Sequence, residues 1–193
     1  MSQKLTERIT AQMQESTQVK LRTLETCIDN IARAAEVILK VYREGHMIFL
    51  CGNGGSASDA QHIAGELVSK LTRERAALPA MALTTNTSLL TAIANDYDYT
   101  QVFARQVEAH ARPGDALIAI STSGRSASVN AAVRTARQRG IHTIALTGKN
   151  GGDLAGLAEV SIIVPSDNTQ RIQETHITIG HIWCDWVEES LFG

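Results

Sequence analysis

The sequence predicts a five-stranded, parallel, doubly wound α/β/α sandwich with an N-terminal helical extension. Two observations predict it. Short, continuously apolar runs alternate with longer segments of helical periodicity, and strands that are apolar on both faces belong in a parallel sheet covered on each side. The runs also end in polar clusters: Gly52–Ser56, Thr84–Thr87, Ser121–Ser126 and Thr147–Gly152. Ligands of such sheets bind at the carboxyl ends of the strands, so four clusters mark one edge as functional.

Residues 3–44 read as helix throughout, and Gly45 supplies a stop. Leu21, Leu24, Ile28, Ile31, Ala32, Ala35, Ile38 and Leu39 recur at spacings of three and four, a helical stripe. The expectation is of two helices within 1–44, with the sandwich over 45–193 in one domain spanning 1–193. Two helices exceed what one small sheet needs. The surplus apolar residues Ile9, Met13 and Leu21 therefore read either as a partner-helix interface or as packing of the first helix on its own domain.

Met47–Cys51 reads as the first strand and about Ser56–Arg73 as the next helix. After a charged loop at 72–78, Pro79 opens a second apolar run, Ala80–Leu83. Helical residues near Leu89–Ala94 follow, then an interruption at Asn95–Tyr99, then helix to about Ala111. Pro113-Gly114-Asp115 is a turn. Strand three is Ala116–Ile120, followed by a helix from about Ser126 to Arg139 and a stop at Gly140. Strand four is His142–Leu146, a short helical piece spans Leu154–Leu157, and strand five is Val160–Val164. Helical periodicity returns from about Thr169 to Leu191.

Composition narrows the function. The 193 residues carry a formal net charge of −2 with no Lys/Arg block, so no nucleic-acid surface is expected. No apolar run is long enough for a membrane span, and the first 25 residues are too polar for a signal peptide. Cys27, Cys51 and Cys184 form no CxxC pattern, which points to reduced thiols in a cytoplasmic protein. Cys51 reads as a packing residue.

The stretch from Met47 to Ser69 organises the chain. A buried strand, the turn Gly52-Asn53-Gly54-Gly55-Ser56 and a helix start together make an anion cradle, because the first N–H groups of a helix are unpaired and its dipole is positive there. The turn is not a Walker loop, since no Gly-Lys-Ser/Thr follows at the right spacing, and it departs from the dinucleotide fingerprint at Ala57. His62 and Glu66 share a helix face at i and i+4, as an ion pair or as a base or metal pair. Ser121-Thr122-Ser123-Gly124-Arg125-Ser126 places four hydroxyls at another helix mouth, more than an N-cap needs, and suits a small sugar phosphate. On the last helix stand Gln173, Glu174, His176 and His181. Zinc accepts nitrogen and carboxylate ligands. Spacing alone pairs Gln173 with His176, while Gln173 and His181 lie roughly 12 Å apart along a helix. Those two share an ion only if Gln173 sits at a frayed helix start or if one serves a neighbouring subunit.

The segments CGNGGSASDAQHIAGEL (51–67), IANDY (93–97), ISTSGRS (120–126), LTGKNGG (146–152) and RIQETH with the later His181 resemble the sugar isomerase (SIS) fold, and within it the phosphoheptose isomerases. The resemblance covers essentially the whole chain. It implies conversion of sedoheptulose 7-phosphate to glycero-manno-heptose 7-phosphate on the ADP-heptose route to lipopolysaccharide. It implies zinc, one ion per subunit, at His62, Glu66, Gln173 and His181, and a homotetramer whose sites borrow residues across subunits. Implied substrate contacts are Asn53, Gly54, Gly55 and Ser56, Asn95 and Asp96, Ser121, Thr122, Ser123 and Ser126, with Glu66 and Gln173. Glu66 would shuttle the proton between C1 and C2, with His181 as partner acid/base. Arg125 stands where an asparagine is common, and Thr169-Gln170 where some members carry an acid. The fold also serves as a non-catalytic sugar-phosphate sensor or replication-initiator adaptor, a reading that predicts loss of the His/Glu/Gln/His set. A third reading is a SIS isomerase for another phosphosugar.

Overall fold

A computed structural model describes residues 3–193; Met1 and Ser2, within the expected helical extension, lie outside the described residues. The order is α1 (Gln3–Arg43), β1 (Ile48–Gly52), α2 (Gly55–Val68), β2 (Ala80–Ala82), α3 (Thr87–Asp96), a 3₁₀ turn (Tyr99–Gln101), α4 (Ala104–His110), β3 (Ala116–Ser121), α5 (Ala127–Gln138), β4 (His142–Gly148), α6 (Leu154–Leu157), β5 (Val160–Val164) and α7 (Thr169–Phe192). The five strands form one parallel sheet in the order β2-β1-β3-β4-β5. Each strand position alternates between two cores. Ile48, Leu50, Ile118 and Ile120 face α1, α2 and α7, whereas Phe49, Cys51, Leu117 and Ala119 face α3 to α6.

The strand order places the site. From β1 the chain crosses to β2 on one side and returns to β3 on the other, so β1 and β3 flank the topological switch point where loops diverge and leave a crevice. The glycine turn follows β1 and the hydroxyl loop follows β3.

Two expectations about helices are corrected. The two N-terminal helices are one continuous 41-residue helix, because nothing between Gln3 and Arg43 breaks the hydrogen-bond ladder: no Gly or Pro occurs there. Its apolar stripe also divides. Ala34, Ala35, Ile38 and Leu39 are buried against the domain, while Leu21, Leu24 and Ile28 face outward with Leu5, Ile9 and Met13. The second correction concerns α2, which ends at Val68 rather than Arg73. The N–H groups of Leu71, Thr72 and Arg73 donate to the Glu188 carboxylate, 2.7 to 3.1 Å away, instead of to carbonyls four residues back.

Two buried ionisable groups on α7 contribute to the acid stability. Burial raises the Glu188 carboxyl, but the hydrogen bonds from Leu71, Thr72 and Arg73 prevail and hold it down to about 2. Its contribution is complete above the ordinary value of 4.5 and is lost as pH falls through about 2. His176 is fully buried, and its Nε2–H donates to the Thr147 carbonyl at 3.0 Å. Burial pushes its imidazole down to about 4 from 6.5. The unfolded chain therefore takes up that proton first, and stability falls as pH drops from 6.5 toward 4. Thermal unfolding followed from pH 7 to 2 should show the parent losing more melting temperature than His176→Gln between pH 6.5 and 4, and falling again below 4.5 as Glu188 takes up its proton. Equal melting-temperature changes in the parent and in His176→Gln from pH 6.5 to 4 would contradict the burial of a neutral His176.

Candidate functional site

The cradle is assembled from three elements. Asn53, Ser56, Ser121, Thr122, Ser123, Ser126 and Gln173 line one small polar cavity of about 190 Å³ at the β1/β3 switch point. Asn53 is its structural centre. Its amide nitrogen donates to Ser126 Oγ at 2.7 Å and Ser128 Oγ at 3.0 Å, and its oxygen accepts from the Tyr99 hydroxyl at 2.7 Å. Ser126 makes no side-chain cap for α5. Because its oxygen accepts from Asn53, its own O–H proton remains available to a ligand. The N-cap explanation of the hydroxyl loop therefore fails at the one serine that stands at the cap position.

Two glycines mark close approach in the cradle, and at the second the neighbour is backbone that cannot move aside. A Cβ on Gly55 would run into the side-chain amide of Gln173, and a Cβ on Gly124, whose φ is +64°, would run into the backbone of Gly151. The first contact brings α7 over the start of α2. The second locks the loop after β3 against the loop after β4, where Leu154 N–H donates to the Gly124 carbonyl at 3.0 Å.

α2 and α7 then run side by side in the same direction. Gln173 lies at Gly55, Gly180 at Ile63, and His181 at His62. His62 Nε2 is 3.1 Å from Glu66 Oε1 and 3.1 Å from His181 Nε2, and the two imidazoles meet edge to face with centroids 4.9 Å apart. One ligand atom from each of His62, Glu66 and His181 lies within 4.8 Å of the others. Zinc with nitrogen and oxygen ligands at ~2.0–2.2 Å in tetrahedral geometry separates its ligand atoms by roughly 3.3–3.5 Å. The donor types and their convergence fit that ion.

The structure does not bring every expected residue to this mouth. His176 is in the core, so the i, i+3 pairing with Gln173 does not occur. Gln173 lies within the first turns of α7 rather than at a frayed end, and it borders the cradle. Asn95 and Asp96 are exposed at the end of α3, bonded to each other at 2.8 Å; Asp96 borders a different cleft with Tyr97 and Arg105. Arg125 is exposed and borders a neighbouring cleft with Lys149. Three contributors escaped the sequence reading. Tyr99 and Ser128 orient Asn53 across distances in sequence that no motif spans. Asp59, one turn before His62, has a buried, unpartnered carboxylate oxygen, and burial pushes it up to about 6 against the opposing pull of His62. The three cysteines are free and buried, and burial pushes Cys51 and Cys184 up to about 12, so neither is a nucleophile at neutral pH.

The SIS domain family profile matches residues 12–148. A phosphoheptose isomerase of Roseiflexus sp. is 56% identical over 181 residues, covering 94% of this chain and 92% of its own. The chain belongs to the phosphoheptose isomerase family. Solved structures of the family agree with the fold. The phosphoheptose isomerase of Neisseria gonorrhoeae superposes with a TM-score of 0.91 at 44% identity, covering 96% of this chain and 99% of its own. That of Francisella tularensis gives 0.92 at 36% identity, covering 98% and 100%. The family's fold thus matches over both halves of the site: the switch-point cradle and the parallel α2/α7 pair that carries the His/Glu/His triad.

Proposed function

We propose that this chain converts sedoheptulose 7-phosphate to D-glycero-D-manno-heptose 7-phosphate, a ketose–aldose isomerisation through an enediol, in the cytoplasm and toward ADP-heptose for lipopolysaccharide. The observation that carries this reading is that α2 and α7 carry both an anion cradle and a carboxylate with two imidazoles beside it, which neighbouring protomers would bring to one substrate.

The hydroxyls of Ser121, Thr122, Ser123 and Ser126 and the start of α2 hold the phosphate, with Asn53, Gly54, Gly55, Ser56 and Gln173 around it. The Glu66 carboxylate takes a proton from C1 of the open-chain ketose. His181 gives a proton to the C2 oxygen, so the electron pair from C1–H becomes the C1=C2 bond of an enediol. His181 then accepts the proton of the C1 hydroxyl while Glu66 returns its proton to C2, leaving the aldehyde at C1. One base serves both carbons because they are adjacent. His62, Glu66, Gln173 and His181 would hold zinc in the resting site. Because a lone pair held by a metal cannot also carry a proton, Glu66 and His181 would hold it only loosely during turnover, and the ion would supply polarisation of the sugar oxygens.

Two features support a homotetramer with shared sites. Glu66 lies eleven residues beyond Gly55, about 16 Å along α2 at ~1.5 Å per residue, and Gln173 lies eight residues before His181. A Gln173 that joins the triad therefore belongs to a neighbouring protomer, and Asn95 and Asp96, exposed here, are free to reach a neighbour's site. The outward apolar face of α1, with Leu21, Leu24 and Ile28, the last lining a cleft with Ile182 and Trp186 of α7, is the surface such neighbours would cover. Among the described residues no helix is long and apolar enough to cross a membrane.

Incubation with sedoheptulose 7-phosphate should yield the aldose, and the rate should fall after chelation and return with added zinc. Absence of aldose with the zinc-loaded chain would refute the isomerase reading. Full activity after exhaustive chelation would refute the zinc.

A further inference from the structure

Helix α2 ends two residues past Glu66, and the last carbonyls of a helix need partners from elsewhere. Arg75 serves two of them, those of Glu66 and Leu67. Its Nη2 donates to the Glu66 carbonyl at 2.8 Å, and its Nη1 to the Leu67 and Ala76 carbonyls at 2.8 and 3.0 Å. Its Nε donates to Glu188 Oε1 at 3.1 Å. Glu188 in turn accepts from the N–H groups of Leu71, Thr72 and Arg73 and from the Thr72 hydroxyl. Both side chains are buried, at 0% and 1% exposure. The guanidinium also sits 5.8 Å from the ring centre of Phe192.

A buried ion pair costs heavily in desolvation and is poor evidence of stabilisation by itself. What this one does geometrically is specific. Glu188 stands seven residues after His181, on the same face of α7. Arg75 grips the helix turn that carries Glu66, and a planar fork of donors suits successive helix carbonyls better than a point charge does. The pair therefore bolts together the two helices that present His62, Glu66 and His181, just beyond the triad.

We propose that Arg75 and Glu188 are positioning residues for the isomerisation, holding the Glu66 carboxylate at the reacting carbons through the end of its helix. This rests on Glu66 acting as the base. Small displacements of a reacting group cost on the order of 100-fold in rate. Glu188→Gln keeps the shape but replaces an all-acceptor carboxylate with a group that must present N–H to N–H. Arg75→Lys keeps the charge and loses the fork. Neither residue touches the cradle, so substrate binding should persist.

The test is steady-state kinetics of the full-length zinc-loaded protein with sedoheptulose 7-phosphate, alongside circular dichroism and hydrogen exchange of the 62–76 segment. Glu188→Gln should lose about 100-fold in kcat with KM little changed. Arg75→Lys should fall between it and the parent. Exchange should rise in 62–76 and not in the strands. A folded Glu188→Gln and a folded Arg75→Lys with kcat within about twofold of the parent would overturn the inference, as would a loss confined to KM. If both variants lose the native circular dichroism signal, the pair is a folding element and the inference is wrong. An inactive parent would instead sink the isomerase reading, and this inference with it.

Discussion

Glu66→Gln is expected to abolish isomerisation while leaving a folded chain that still binds sugar phosphate. The amide has the shape of the carboxylate and can keep the 3.1 Å contact with His62. It cannot take a proton from carbon at neutral pH. Positioned acid–base groups contribute about 10²–10⁴-fold, and here one group is asked to act at both carbons, so the loss should lie at the upper end. The proposed phosphate cradle uses none of Glu66, so affinity for the sugar phosphate should survive. Turnover of sedoheptulose 7-phosphate and calorimetric binding of the same compound separate the two effects. Deuterium uptake at C1 or C2 from heavy water gives an independent reading, because proton abstraction can occur without net conversion. A variant that turns over near the parent rate, or that exchanges those positions normally, would remove Glu66 from the chemistry.

The sheet was legible because its strands are continuous apolar runs closed by turn residues, and β5 and α6 fall where the pattern places them. Elements whose limits depend on distant partners were not. α2 stops at Val68 because the Glu188 carboxylate, more than a hundred residues later, takes the next N–H groups. Periodicity within 69–73 carries no trace of that acceptor. The same distinction runs through the site. His62 and Glu66 are neighbours by helix geometry alone, so their pairing can be read from spacing. His181 joins them only because α7 lies parallel to α2, which requires the missing Cβ of Gly180: a Cβ there would stand 2.6 Å from Ile63 Cδ1. The hydroxyl loop and glycine turn were visible as polar loops and do converge on one cavity, whereas Tyr99, which aims Asn53, follows from the 3₁₀ turn after α3. His176 shows the converse: a histidine at plausible ligand spacing that the core has absorbed.

Gly124→Ala should damage phosphate binding and stability together. At φ +64° an L-residue is strained, and the added Cβ would also overlap the Gly151 carbonyl, which is backbone and cannot rotate aside. The two loops after β3 and β4 must then part, breaking the Leu154 N–H bond to the Gly124 carbonyl and tilting Ser123 and Ser126 away from the cavity they line. Strain of this kind costs ~1–3 kcal/mol and overpacking a further ~1–3 kcal/mol. A hydrogen bond to a charged group is worth about 1.5–3 kcal/mol, so loss of one phosphate donor weakens substrate binding by roughly 10- to 100-fold. KM should rise by that factor, while kcat at saturation falls less, because the triad on α2 and α7 does not touch Gly124. That is the opposite kinetic split to Glu66→Gln, and inorganic phosphate as a competitive inhibitor should weaken in parallel. If Gly124→Ala instead left KM and phosphate inhibition unchanged in a folded protein, the hydroxyl loop would not be the phosphate site.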